Sequence, residues 1–185
     1  MFKKKINIHI GGLYATRDPS VIETLLGSCV AACLFDPSSR IGGMNHILLP
    51  GKPDIKRFDE SARYGINAME LLINKIMNLG GRRQGIVAKV FGGSHLFPSI
   101  SKENGIGVKN AKFVLEFLKT EEIKVIRKNI GGHDVRRIYF HTDTGDVFLK
   151  RTRSMHYSKI AVKEQEYLKG SMAEIKKAGD VTLFR

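Results

Sequence analysis

The sequence predicts an α+β fold: mixed, mainly antiparallel β-sheets layered with two main helices in a single domain, followed by a C-terminal helix. Three observations lead there. Short runs that alternate, or are wholly apolar, recur between turn residues, as strands do. Two longer segments carry apolar residues at three- and four-residue spacing, as amphipathic helices do. The 185 residues, 42% hydrophobic and 26% charged, suit one folded domain with its own core.

Each element follows from its residues. Ile6, Ile8 and Ile10 alternate with Asn7 and His9, giving a short first strand. Residues 14–20 read as a polar connection holding Pro19, and residues 21–26 as a second extended piece. Gly27 and Ser28 interrupt. Residues 30–35 are then apolar on both faces, as a buried strand is, although periodicity alone also allows a short helix. Asp36-Pro37-Ser38-Ser39-Arg40 is a turn, and residues 41–49 return as an antiparallel partner stopped by Pro50 and Gly51. Residues 52–58 form a polar loop. A helix starts at Asp59, with Asp59 or Ser61 as its cap. It repeats Ala62, Ile66, Met69, Leu72, Ile73, Ile76 and Leu79 on one face and ends at Gly80-Gly81. Residues 86–91 make a strand leading into Gly92-Gly93-Ser94-His95. Residues 108–119 make the second helix, with Ala111, Val114, Leu115 and Leu118 aligned. Residues 123–130 form a strand ending at Gly131-Gly132, and residues 135–141 and 147–151 flank a hairpin turn at Thr142 to Asp146. A charged helix over about residues 160–178 closes the chain. Strand patterning stops near residue 151, so the expected division is a domain over 1–151 and a helical extension over 152–185.

Charge narrows the partners. There are 31 Lys and Arg against 18 Asp and Glu, a net +13. The surplus is spread along the chain, which favours acidic partners in general without choosing DNA. No zinc-finger spacing, RNP-like aromatic strand or arginine-rich block accompanies it, so a nucleic-acid-binding domain is the weakest reading. No apolar run approaches the ~18 residues of a membrane span. Met1-Phe2-Lys3-Lys4-Lys5 resembles a signal-peptide start, but the alternation after it and Gly11-Gly12 leave no apolar h-region. The expectation is a cytoplasmic protein with no membrane insertion. Cys29 and Cys33 are too few for a disulfide framework, and a zinc site lacks further soft ligands. They are either small buried hydrophobes or, for one of them, a reactive thiol.

The pair that carries chemistry is Cys29 and His46, one on each arm of the hairpin at Asp36-Pro37. A thiol near its ordinary pKa of ~8.5 is only a few per cent thiolate at neutral pH, and a neighbouring imidazole can take its proton. Gly27 and Ser28 before Cys29 allow backbone N–H groups close to a substrate oxygen, as an oxyanion hole requires. The alternative is a core cysteine and a hydrogen-bonded histidine.

The surrounding words are more specific. Thr24-Leu25-Leu26-Gly27-Ser28-Cys29-Val30-Ala31, then Gly42-Gly43-Met44-Asn45-His46 and Leu49-Pro50, closely resemble the CheD family of chemoreceptor glutamine deamidases. Phe91-Gly92-Gly93-Ser94, Ile106-Gly107-Val108-Lys109-Asn110, Gly131-Gly132 before Arg136-Arg137, and the hairpin at 142–147 continue the resemblance in order to about residue 151. It implies a Cys-His hydrolase-like fold with Cys29 as nucleophile, His46 as acid and base, and Thr24 as the residue orienting the imidazole; a plain strand threonine is the other reading of Thr24. The implied reaction converts glutamine side chains of methyl-accepting chemotaxis receptors to glutamate through a thioester, with no metal and no organic cofactor. A CheC-type phosphatase is the implied partner. A non-catalytic adaptor of the same fold is the alternative, and retention of Cys29, His46 and Thr24 argues against it. Cys33 reads as core. Asn110 either caps the second helix or faces the site, Lys109 stands where the family commonly has arginine, and His95 is a pocket-loop or surface residue.

Overall fold

Val30 to Phe35 has no polar residue, so a strand made from it must be covered on both sides, and that requirement sets the layers. The computed structural model describes residues 3–49, 60–96, 105–152 and 157–178, with the side chains of residues 60–62, 157, 158 and 174–178 outside the description. The strands are β1 (Lys4–Asn7), β2 (Leu13–Thr16), β3 (Ser20–Leu26), β4 (Val30–Asp36), β5 (Ile41–Asn45), β6 (Val87–Gly92), β7 (Lys124–Ile130), β8 (Val135–His141) and β9 (Val147–Thr152). The helices are α1 (Glu60–Asn78), α2 (Ile106–Thr120) and α3 (Tyr157–Ala178). The fold is α+β with two mixed sheets, one ordered β1-β3-β8-β9 and the other β2-β5-β4-β6-β7. Among the described residues only β1 with β3 and β6 with β7 pair in parallel.

β4 lies inside the five-stranded sheet and alternates between two cores. Val30, Ala32 and Leu34 face α1 and α2, packing with Met69, Leu72, Ile73 and Ile76 of α1 and Val114 and Phe117 of α2. Cys29, Ala31 and Cys33 face the other sheet, packing with Met44, Leu48, Ile22, Leu26, Ile138 and Phe140. The order is therefore sheet, sheet, helices. Met69, Leu72, Ile73 and Ile76 are fully buried, and at about 2 kcal/mol for each such side chain this face holds α1 on the sheet.

Several expectations shift. Residues 14–20 are not all connection: Leu13–Thr16 is a strand whose partner is β5, with Tyr14 opposite Met44. The first strand ends at Asn7, short of residue 10. The return arm of the hairpin ends as regular strand at Asn45, and one bridge between Val30 and Ile47 continues the pairing. Residues 30–35 are strand, which removes the helical alternative. The expected loop at 52–58 and the Asp59 or Ser61 cap lie outside the described residues. Among the described residues no helix is long and apolar enough to cross a membrane.

The turn after β4 is built by one carboxylate. Asp36 is wholly buried and accepts from Ser38 N–H at 3.0 Å, Ser38 Oγ at 2.6 Å, Ser39 Oγ at 2.8 Å and Arg82 N–H at 2.9 Å. Those donors stabilise the anion and hold its pKa well below the usual carboxylate range against the cost of burial. The hairpin joining β4 to β5 is thereby fixed in register from its turn outward.

Candidate active site

That register decides which side chains meet. Cys33 pairs with Met44 and Val30 with Ile47. Carried onward, it sets Ala31 beside His46 and Cys29 beside Leu48. Cys29 and His46 are then diagonal neighbours on the face toward the second sheet, with Cα atoms about 7–8 Å apart across the pair of strands, within side-chain reach. Both are buried, at 1% and 3% exposure.

The second sheet supplies the next member. Thr24, in the middle of β3, places Oγ1 2.7 Å from His46 Nδ1 and 2.8 Å from the Ile8 carbonyl oxygen. A hydroxyl has one proton, and a carbonyl can only accept. The Thr24 hydroxyl therefore donates to Ile8, and His46 Nδ1–H donates to Thr24. This leaves Nε2 unprotonated. Nε2 is buried and has no hydrogen-bond partner among the described residues. Burial first, and the nearby His9 second, push the His46 pKa down to about 3, so the ring is neutral at physiological pH.

The backbone before Cys29 is clamped from one side. Ser94 N–H donates to the Gly27 carbonyl at 2.9 Å, Asn110 Nδ2 to the Ser28 carbonyl at 3.0 Å, and Gly93 N–H to the Cys29 carbonyl at 2.7 Å. Among the described residues every peptide bond is trans, so each N–H points opposite to the carbonyl in its own peptide plane. Tying the Gly27 and Ser28 carbonyls to Ser94 and Asn110 thus turns the N–H groups of Ser28 and Cys29 to the other side. The sequence reading places oxyanion donors near Gly27 and Ser28; the amides that face the site belong to Ser28 and Cys29. Gly92, at φ +108, is needed because a Cβ there would overlap the Cys29 carbonyl.

Asn110 is more than a helix residue. Its side chain, 1% exposed, also accepts the Leu49 N–H at 3.1 Å, so it joins the segment after β5 to the loop before Cys29. Ser94 is fully buried, and Arg136 donates to it while also reaching Asn129 at 2.7 Å and the Asp134 carbonyl at 3.1 Å. His95 packs edge-on against His133, with ring centres 5.7 Å apart, and Lys109 is half-buried. Cys33 is buried in the same core as Cys29, and burial raises its pKa beyond the ordinary thiol range.

One group enters the site that the sequence reading leaves unassigned. Glu164 of α3 is 2% exposed. Its Oε1 accepts the Ser28 N–H at 3.0 Å and the Cys29 thiol at 3.2 Å, and its Oε2 accepts Ser28 Oγ at 2.5 Å. The Cys29 amide faces it as well. Burial raises the Glu164 pKa against the lowering effect of Ser28 and Cys29. Burial and then the Glu164 charge push the Cys29 thiol well up, so the pair at rest is a neutral thiol and a neutral imidazole. The sequence does hold a signal for Glu164. Ile160, Glu164, Tyr167, Leu168 and Ser171 share one helical face by their spacing, and a carboxylate on a largely apolar face asks for a partner.

Comparison with known proteins adds a family to this geometry. A family model described as CheD chemotactic sensory transduction matches residues 48–151. That segment begins just past His46, but similarity to whole proteins reaches further. A protein of Shewanella oneidensis named "Probable chemoreceptor glutamine deamidase CheD 1" is 43% identical over 186 residues, covering 98% of this chain and 88% of that protein. One of the same name in Dechloromonas aromatica is 41% identical over 174 residues, 94% of this chain and 86% of that protein. "Probable chemoreceptor glutamine deamidase CheD" of Methylobacillus flagellatus is 44% identical over 177 residues, with the same two coverages.

Proposed function

This chain belongs to the CheD family of chemotaxis proteins, and from that premise we propose that it hydrolyses glutamine side chains of chemoreceptors to glutamate, with Cys29 as nucleophile, His46 as acid and base and Thr24 orienting the imidazole. One observation carries the assignment of roles: Thr24 fixes the His46 tautomer that leaves Nε2 free on the face it shares with Cys29. The proposal includes a Cys-His hydrolase-like catalytic unit over residues 1–151 and a helical extension over residues 152–185, of which α3 packs against that unit.

The reaction follows from the atoms. His46 Nε2 takes the Cys29 proton, and the thiolate attacks the carboxamide carbon. The developing oxyanion lies against the Ser28 and Cys29 N–H groups, whose direction the Ser94 and Asn110 contacts set in advance and which Glu164 must vacate for substrate. Collapse breaks the C–N bond, and the His46 proton leaves with the nitrogen as ammonia. The thioester that remains is attacked by water, whose proton returns to Nε2. Collapse then releases glutamate and restores the thiol with that same proton.

The substrate class rests on the relatives' names and on the family resemblance. The cytoplasm as location and a CheC-type phosphatase as partner are parts of the same proposal, and the partner rests on that resemblance alone. The test is incubation with receptor fragments, followed by mass spectrometry for amide-to-acid conversion. Conversion that disappears in Cys29→Ala supports the assignment; conversion unchanged in that variant, or absent on every receptor tested, overturns it.

A further inference from the structure

Glu164 does not touch the site at its rim. It takes the donors that the proposed chemistry needs for substrate. Glutamate and glutamine side chains are isosteric, differing by one oxygen for one NH2 group, and glutamate is what the proposed reaction leaves behind. Oε1 lies against the Ser28 amide and the Cys29 thiol, with the Cys29 amide also facing the carboxylate, where a substrate carbonyl oxygen would sit. Oε2 lies against Ser28 Oγ, where the leaving nitrogen would sit.

Further contacts show that α3 is seated there as a body. A Cβ on Gly27 would come 2.7 Å from Glu164 Oε1 and 3.0 Å from Ile160 Cγ2, so the helix rests on that bare backbone. Tyr167 hydrogen-bonds with Tyr64 of α1 and covers Gly11. Tyr167 and Leu168 pack on the core between the sheets, and Ser171 is buried one turn further on. The opposite face, with Val162 and Met172, is open.

We propose that α3 closes the active site from within the same chain, with Glu164 occupying, from a helix, the seat of the side chain on which the site acts. This inference rests on the function proposed above and deepens it by naming a regulator of that site. A substrate helix cannot present a glutamine to Cys29 while Glu164 is in place, so α3 and substrate compete for one seat. Opening removes an anion from beside Cys29 and frees the donors of Ser28 together. Docking of α3 and reactivity of Cys29 therefore exclude each other.

The experiment measures Cys29 alkylation by iodoacetamide in the full chain, and receptor-fragment deamidation in parallel. Glu164→Ala removes the carboxylate; Tyr167→Ala loosens the helix without touching Cys29 or Ser28. Both variants are expected to alkylate at least about tenfold faster than the parent at neutral pH, the effect of one pKa unit on thiolate fraction before any gain in access. Deamidation is expected to rise with it. An alkylation rate unchanged in both variants overturns the proposal, and the deamidase reading survives if the parent still converts receptors. Faster alkylation without conversion by any variant sustains the closing role of α3 and removes the deamidase reading instead.

Discussion

Thr24 Oγ1 lies 2.7 Å from His46 Nδ1 and donates its only proton to the Ile8 carbonyl 2.8 Å away. The threonine thus acts as an acceptor toward the ring, the part a carboxylate or amide oxygen plays in catalytic triads. Thr24→Val keeps the shape and removes the acceptor, leaving the Nδ1–H and the Ile8 carbonyl without a partner. The expected result is a fall in kcat of about 10²-fold or more, the usual scale of an acid–base contribution, with KM little changed. Thr24→Ser should restore most of it. A valine variant with parental kcat would remove Thr24 from the site.

His46 also marks the pH dependence of folding. Its folded pKa is about 3 against 6.5 when unfolded, so the unfolded chain binds the extra proton between those values. Stability is full above about pH 6.5 and is lost as pH falls toward 3, by on the order of a few kcal/mol. Urea midpoints measured across that window should slope for the parent and flatten for His46→Gln. Equal slopes would mean that the ring is not buried in neutral form.

Asp36 acts in a lower window. Its carboxyl is held below the unfolded value by Ser38, Ser39 and Arg82, so its contribution is present above the ordinary carboxylate pKa and lost as pH falls through the folded one. At neutral pH, Asp36→Ala leaves the Ser38 and Arg82 N–H groups without an acceptor. A loss of about 2–3 kcal/mol is expected, read as a lower thermal midpoint. Because Asp36 is remote from Cys29 in the hairpin, any surviving fold should keep its alkylation rate.

Asn110 tests the clamp. Asn110→Ala frees the Ser28 carbonyl and with it the direction of the Cys29 N–H. The expected signature of a positioning residue is kcat lowered by about tenfold or more with KM retained, on the scale of a lost oxyanion donor. Asn110→Asp, which keeps the acceptor for Leu49 but sets a second acceptor against the Ser28 carbonyl, should share the kcat loss and lower stability as well.

These residues differ in how far the sequence exposes them. Cys29, His46 and Thr24 sit in words of local chemistry, a glycine-serine before the thiol and a turn between the two arms, so the hairpin that joins them is readable from Asp36-Pro37 and the flanking apolar runs. β2 is not readable, because its four residues become a strand only through pairing with β5. Asn110 stays ambiguous for the same reason: the groups it bridges, Ser28 and Leu49, are distant along the chain, and their meeting is a property of the layered sheets. Glu164 is half-legible. Its place on an apolar helix face is in the sequence, but the donors that receive it come from a loop more than a hundred residues away.

That loop makes the sharpest prediction about α3. In Glu164→Gln the new side-chain amide enters the seat with its carbonyl oxygen toward the Ser28 and Cys29 N–H groups and its nitrogen toward Ser28 Oγ, which can accept as well as donate. If that seat is the substrate seat, the variant carries its own substrate. The amide at position 164 should convert to the acid on standing, with a first-order rate independent of protein concentration because the helix belongs to the same chain. Conversion should be abolished by adding Cys29→Ala and slowed by adding Thr24→Val, and peptide mass spectrometry places it at residue 164 rather than at another amide. Its progress should also restore the parental, slow alkylation of Cys29, since the product is the parent side chain. An amide that persists in a preparation actively converting receptor fragments would separate the two seats and leave Glu164 as a block that does not imitate the product.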